Sequence, residues 1–493
     1  MMNNRPQKLK PIMFVGTGSD VGKSVINAAF CRIFKQDGYS PAPFKAQNMS
    51  LNSFATSDGL EIGRAQAVQA EACGIDCTVE MNPVLLKPTS YLSSQVVLKG
   101  KPVGNSTAYE YFIGTDREQL FREAIGALKV LENKYNPIVI EGAGSISEIN
   151  LWEKDITNMR IALEAGADTY LIADIDKGGV FGCVYGTLKL LPEDQNKLIK
   201  GIIINKFRGD ISLFSKGKAM LEELTGKPVV GMIPYFRDII IEQEDSVVIE
   251  KKQGTNSDDK INIAVILLPH LSNFTDFNML EQQPGVNLFY SNNPKEIREA
   301  DIVIIPGSKN TISDLLYIGK RGVARTISDM HKEGKQVYGI CGGFQMMGKE
   351  IRDPYFMEGE IEKIPALGIL PVTTVITERK KTVQTTFTFL GYEQKCQGYE
   401  IHMGTTKADT KKPVCRTESE DEGFMLNEKT WGTYMHGIFD NQIVVEHILK
   451  QVKKDVKVQM DYNKFKDNQY NKLARLVRES VDMEYIYKNM AND

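Results

Sequence analysis

The chain has no excess of either charge. Sixty lysines and arginines stand against 63 aspartates and glutamates, a net charge of −3. That excludes the basic footprint of a nucleic-acid binder. No apolar run approaches the ~20 residues of a membrane span. The opening M-M-N-N-R-P-Q-K-L-K lacks the apolar stretch of a secretory signal. Cysteines are scattered and odd in number, at 31, 73, 77, 183, 341, 396 and 415. This argues against a disulfide framework and predicts a reducing, cytoplasmic setting. Cys73 and Cys77 form the one close pair. With no second pair and no adjacent histidine they read as packing residues of one helix, not zinc ligands. Histidines number only five, which narrows the choice of a catalytic base.

Apolar residues make up 42% of the 493 positions, enough for ordinary cores, and the length predicts two to four domains at ~150 residues each. The first half alternates apolar strands with amphipathic helices. The strands are Ile12–Val15, Ala42–Lys45, Ile138–Glu141, Thr169–Ala173, Gly201–Asn205 and Val229–Met232. Val25–Gln36 and Arg117–Asn133 read as helices. Near-continuous apolar strands between helices predict a doubly wound α/β domain over 1–250. The polar run K-K-Q-G-T-N-S-D-D-K at 251–260 reads as a linker. A second α/β domain follows over 261–443, with strands Ile261–Leu268, Val286–Tyr290, Ile302–Ile305 and Gln336–Ile340 and a β-rich set from Leu367 to Met435. Residues 444–493 read as a charged helical extension docking outside the second domain.

The first strand runs into G-T-G-S-D-V-G-K-S, the residues Gly16, Thr17, Gly18, Ser19, Asp20, Val21, Gly22, Lys23 and Ser24. Backbone N–H groups of such a loop cradle phosphate oxygens at a helix N-terminus. Lys23 reaches the terminal phosphates and the Ser24 hydroxyl suits Mg²⁺. The spacing is a variant, with five residues between Gly16 and Gly22. Glu141 ends a neighbouring strand, where its carboxylate suits Mg²⁺. Asn205 ends another, either to bond a base edge or to form a plain turn. A polar segment lies between, containing F-K-A-Q-N-M, E-I-G-R-A-Q and M-N-P-V-L-L-K-P. Within it Lys45 ends a strand near the phosphate loop, and Glu61 is a further metal ligand or a capping residue.

In the second domain, Gln336–Ile340 leads straight into Cys341-Gly342-Gly343 and a helix-like run. A side chain on so tight a strand-to-helix turn projects from the sheet, and the helix N-terminus favours a thiolate. A lone cysteine is ordinarily inert packing; the glycine pair and the context favour a nucleophile. A thiol nucleophile needs a base. His436 follows a strand and precedes a glycine. His402 and His270 are also at strand positions, whereas His331 and His447 read as surface residues. The turn Gly307–Asn310 offers N–H groups that could join that of Gly342 in an oxyanion hole.

These residues carry a resemblance. G-I-C-G-G-F-Q-M-M-G, with P-G-S-K-N-T upstream and Y-M-H-G-I-F downstream, resembles a class I glutamine amidotransferase domain. The front half resembles dethiobiotin-synthetase-like ATP-binding domains. Fused in this order, with P-F-K-A-Q-N-M-S-L-N-S and the other two internal motifs, the chain resembles the cobyric acid synthase family of cobalamin biosynthesis. The resemblance implies two doubly wound domains and ATP- and glutamine-dependent amidation of a corrinoid. The substrate it implies is adenosylcobyrinic acid a,c-diamide, amidated at carboxylates b, d, e and g to adenosylcobyric acid. It makes Cys341 the nucleophile and His436 the base, with Gly307, Gly342 and Gln345 around the glutamine amide. It gives ATP to Gly16–Ser24. The positions of the residues themselves add Asn205 to the nucleotide, Ser24, Glu61 and Glu141 as candidates for Mg²⁺, and Lys45, Gln47, Asn48 and Tyr399 as candidates to line a corrinoid groove. No nucleic-acid or membrane partner is implied. One departure stands out. The wider amidotransferase class has a glutamate two residues after the histidine, but here Ile438 fills that place and Asp440 is off register. What orients His436 stays open. So do two rival readings, a cobyrinic acid a,c-diamide synthase and a nucleotide-dependent binding module with an inactive amidotransferase domain.

Overall fold

The computed structural model describes residues 7–88, 93–107, 117–242 and 257–491. Six parallel strands form the first sheet. Their spatial order is Val229–Pro234, Ile199–Phe207, Asp168–Asp174, Ile12–Gly16, Ile138–Glu141 and Ala42–Phe44. All six are strands expected from the sequence. They are apolar along their length because helices cover both faces; Ile12, Met13, Phe14 and Val15 are all fully buried. Parallel winding places Gly16, Glu141, Asp174 and Asn205 together at the strands' C-terminal ends, where α/β sheets hold ligands.

The second sheet orders Val286–Ser291, Ile261–Ile266, Ile302–Ile305, Gln336–Ile340, Thr430–Thr433 and Phe424–Asn427. Its first five strands are parallel and the last pair antiparallel. The β-rich set from Leu367 to Met435 divides between two sheets. Thr430–Thr433 and Phe424–Asn427 extend the parallel sheet. The long hairpin of Val372–Phe389 and Lys395–Ala408 builds a separate, mainly antiparallel one. The polar segment of the first half is more regular than its composition suggests. It holds a four-stranded sheet of Gln47–Met49, Val84–Pro88, Ser93–Leu98 and Lys101–Thr107, and a hairpin of Ser53–Ala55 with Glu61–Gly63. Most of the 251–260 linker lies outside the described residues. Among the described residues no helix is long and apolar enough to cross a membrane.

Two expectations are corrected. The extension does not dock only outside the second domain. Gln442–Lys450 packs there, through Val444, Val445, Ile448 and Leu449. The next helix, Tyr462–Ser480, instead lies on the first domain, against Lys23–Gln36. Tyr470, Leu473, Ala474 and Val477 form one apolar stripe at helical spacing and join Phe30 and Phe34 in a common core. Arg32 and Asp467 pair at 2.6 Å beside it. The helix's charges mask this stripe in the sequence. Leu473 is fully buried, so Leu473→Ala should destabilise the first domain by about 2–5 kcal/mol. Urea unfolding measures this, and an unmoved midpoint would contradict the docking. His447 is also not a surface residue. It is buried, with its ring edge-on to Phe389 at 5.4 Å and its Nδ1 3.1 Å from the Tyr392 hydroxyl.

Candidate active site

The phosphate loop is drawn in on itself. Lys23 opens its helix, and its ammonium donates back to the carbonyls of Gly18 (2.9 Å) and Gly144 (2.8 Å). Gly22 has φ 99°, and a Cβ there would come 2.2 Å from Asn205 Nδ2. That amide nitrogen donates to the Val21 carbonyl at 2.8 Å. Asn205 therefore braces the loop from behind.

Glu141 is the hub beside the loop and is buried. Its Oε1 accepts from the Ser24 hydroxyl and from the Lys45 ammonium, each at 2.8 Å, and its Oε2 accepts from Gln69 at 2.6 Å. Burial alone would raise its pKa, but Lys45 and the hydrogen bonds outweigh this and leave it lowered. A hydroxyl and an ionised carboxylate side by side, at the start of a helix following a glycine-rich loop, fit a divalent cation with its nucleotide phosphates.

Glu61 is not given these partners. One of its oxygens accepts from Lys87 at 2.6 Å and the other from Lys380 of the second domain. Both of its oxygens pair with lysine ammonium groups and it lacks the phosphate-loop hydroxyl that Glu141 has beside it, so the metal expectation does not carry over to Glu61. The residues expected to meet a corrinoid also sit differently. Asn48 is buried and donates to Gln66, Gln47 is half-buried, and Lys45 is spent on Glu141. Tyr399 is buried between the domains. Its ring stacks on His436 at 5.3 Å and its hydroxyl donates to the Ser53 carbonyl at 3.3 Å. It has no open face for a large substrate.

The nucleophile turn has the expected shape. Cys341 sits at φ 52° and ψ −108°, a conformation side chains rarely adopt, between Gln336–Ile340 and the helix Gly342–Met347. Its own N–H is held by the Thr433 carbonyl at 2.7 Å. The helix can press this close only because Gly343 lacks a side chain; a Cβ there would fall 1.9 Å from the Ile305 carbonyl oxygen. The first N–H groups of that helix have no partner within it.

Cys341 opens into a cavity of about 340 Å³ that His436, Gln345, Lys309, Glu358 and Lys380 also line. Gln345 is fixed by the hydroxyls of Thr311 (2.9 Å) and Tyr434 (3.2 Å). Gly307 lies against the His436 ring; a Cβ there would be 3.3 Å from Cε1.

His436 is the histidine that shares the cavity with Cys341, whose Sγ lies 3.7 Å from the Ile401 carbonyl. The group that orients it is Asp276. His436 Nδ1 donates to Asp276 Oδ2 at 2.7 Å, and the Gly437 N–H donates to Oδ1 at 2.9 Å. Burial opposes charge on the imidazole, yet Asp276 and Cys341 together raise its pKa to about 10. Asp440 does not replace the missing glutamate; Asp276 holds the nitrogen that such a residue would take. His270 and His402 have carboxylate partners of their own, Asp314 (2.8 Å) and Glu400 (2.9 Å).

Sequence reasoning missed Asp276 because 160 residues separate it from His436. A faint signal exists in Phe274-Thr275-Asp276-Phe277. A carboxylate set between aromatics is a buried one, and buried carboxylates need partners.

The fold and the Cys341–His436–Asp276 cluster define a glutamine amidotransferase joined to a nucleotide-binding domain. Residues 262–444 match the CobB/CobQ-like glutamine amidotransferase domain and residues 12–247 the CobQ/CobB/MinD/ParA nucleotide binding domain. The cobyric acid synthase of Parabacteroides distasonis is 59% identical, over 99% of this chain and 100% of that one. That of Bacteroides fragilis is 54% identical over 99% of each. That of Caldanaerobacter subterraneus is 44% identical over 97% of this chain and 98% of its own. The chain belongs to the cobyric acid synthase family of amide-forming ligases.

Proposed function

We propose that the protein amidates the b, d, e and g carboxylates of adenosylcobyrinic acid a,c-diamide with ATP and glutamine, giving adenosylcobyric acid. The observation that carries the reading is the presence, in one chain, of a Cys341–His436–Asp276 glutaminase cavity and a phosphate loop with Lys23, Ser24 and Glu141 in place. The acceptor is inferred from the near full-length likeness to cobyric acid synthases. Residues 1–250 are assigned to ATP and the corrinoid, 251–260 to the linker, 261–443 to glutamine and 444–493 to the extension. The scattered free cysteines suit a reducing cytoplasm.

The chemistry accounts for two sites. A carboxylate does not accept ammonia directly because oxide is a hopeless leaving group. Transfer of the ATP γ-phosphoryl group gives an acyl phosphate, from which phosphate departs when ammonia attacks. Lys23 and the loop N–H groups orient the phosphates. Ser24 and Glu141 would hold Mg²⁺, which supplies positive charge to the phosphoryl oxygens.

In the second domain the Cys341 thiolate attacks the glutamine amide carbon. The N–H of Gly342, with an N–H of the Gly307 turn, would bind the developing oxyanion. Ammonia leaves with a proton from His436, and water then cleaves the thioester with His436 taking its proton. Glutamate is the co-product.

The test is direct. The protein is incubated with ATP, MgCl₂, glutamine and the a,c-diamide, and the corrinoid product is read by mass. The expected shift is four carboxyl-to-amide conversions. No gain on the a,c-diamide, with two amides added to cobyrinic acid instead, would overturn the reading in favour of a cobyrinic acid a,c-diamide synthase.

A further inference from the structure

The cavity of Cys341 and His436 has charged walls, and most of that charge is already paired. Lys87 and Lys380 share the carboxylate of Glu61. His402 is bonded at both ring nitrogens, to the Gly404 carbonyl at 2.8 Å and to a Glu400 oxygen at 2.9 Å. His436 is held by Asp276. Two charges of the wall remain, Lys309 and Glu358. Among the described residues neither belongs to an ion pair, and the Lys309 ammonium has no hydrogen-bond partner. Glu358 Oε2 accepts from a backbone N–H, that of Ile312, at 3.0 Å.

Both charges are set in one frame. Lys309 rides the turn that carries Gly307 and Ser308. Its N–H donates to the His270 carbonyl at 2.9 Å, and the Ser308 hydroxyl donates to Asp314 at 2.6 Å. Beside it, Asn310 Nδ2 donates to the Glu358 carbonyl at 3.2 Å. The Glu358 N–H donates to the fully buried Asp353 at 2.8 Å. The helix Thr311–Lys320 begins at the same place. Its first turn gives the Ile312 N–H to Glu358 and the Thr311 hydroxyl to Gln345. Enclosure works against each charge. It lowers the Lys309 pKa to about 8, with Lys87 adding to the fall, and raises that of Glu358 to about 7. A charge left unpaired in such a place is unfavourable unless a guest brings its counter-charge.

We propose that Lys309 and Glu358 select free glutamine by its main-chain end, Lys309 binding the α-carboxylate and Glu358 the α-ammonium. The proposal rests on the reading that Cys341 hydrolyses glutamine. With the side-chain amide at Cys341, the rest of the substrate extends along the cavity. Its far end carries one charge of each sign on a single carbon, and the wall offers one unpaired charge of each sign, tied together through Asn310. A glutamine residue inside a peptide has neither charge and is refused. So are the primary amides that the first domain makes on the corrinoid, which Cys341 would otherwise be free to hydrolyse. The pair thus acts on binding, not on the bond being broken, and keeps the glutaminase from undoing its own product.

Full-length wild-type, Lys309→Met and Glu358→Gln proteins are assayed for glutamate release from L-glutamine. Competitive inhibition is measured with glutaric acid monoamide, which lacks the α-ammonium, and with γ-aminobutyramide, which lacks the α-carboxylate. Each variant is expected to raise the KM for glutamine about 10- to 100-fold, with kcat far less changed. Lys309→Met should weaken inhibition by the monoamide and leave that by γ-aminobutyramide where it was; Glu358→Gln should do the reverse. An unchanged KM in either variant overturns the proposal. So does an equal weakening of both analogues, which mere loss of packing would give, or a fall in kcat at constant KM. If a variant fails to fold, the wild type decides alone: analogues that bind as tightly as glutamine overturn the proposal, and analogues that bind far more weakly uphold it. Wild-type protein that releases no glutamate would instead refute the glutaminase reading, before any variant is made.

Discussion

Replacing Cys341 by serine is expected to abolish glutamine-driven amidation and leave amidation from a high ammonium concentration intact. The alcohol has nearly the shape of the thiol but is a far weaker nucleophile near neutral pH. Loss of a nucleophile in a coupled catalytic unit lowers turnover by about 10³-fold or more. The first domain loses only its ammonia supply, because the side chain lies in a cavity remote in sequence from Lys23, Ser24 and Glu141. Glutamate release and corrinoid amide formation, assayed with each nitrogen donor, check both halves. Retained glutaminase activity would remove Cys341 from its role, and loss with both donors would refute the division of labour between domains.

Asp276→Asn should be nearly as damaging, with a fall in glutaminase turnover on the order of 10²–10⁴-fold. Asparagine can still accept from the Gly437 N–H. Its other atom becomes a donor aimed at His436 Nδ1, where the carboxylate accepted. The imidazole is then driven to carry its proton on the nitrogen that should receive one from Cys341. The pH profile adds a signature that mere loosening would not give. Asp276 helps to raise the His436 pKa to about 10, so the charged imidazole persists to high pH. Without that carboxylate the pKa falls, and the alkaline limb of the profile moves to lower pH. An unmoved limb with normal turnover would rule out the orienting role.

Much of this was legible from local patterns. The six strands of the first sheet announce themselves as apolar runs because both of their faces are covered. The turn at Cys341 is legible because strand, glycines and helix are contiguous. What escaped was long-range. Asp276 meets His436 through topology alone. Lys380 reaches Glu61 by a bulge that no composition reveals. The stretch from Gln47 to Thr107 showed itself only as a polar segment because its described strands are short and much of its interior is polar, so hydrophobic periodicity is weak there. The Tyr462–Ser480 helix hid its apolar stripe beneath lysines and arginines, and its placement on the first domain follows from where that stripe finds Phe30 and Phe34.

That placement changes how the chain is to be pictured. It leaves the first sheet after Val229–Pro234 and rejoins the same body at Tyr462–Ser480, where Val481 bridges Gly231. The glutaminase is therefore not appended but inserted, a loop of roughly two hundred residues whose closure costs only slightly more than a short one. Two tethers cross between the bodies instead of one. A protease nick at either crossing leaves the halves joined by the other, and only a double cut would set the ammonia source free of the site it feeds.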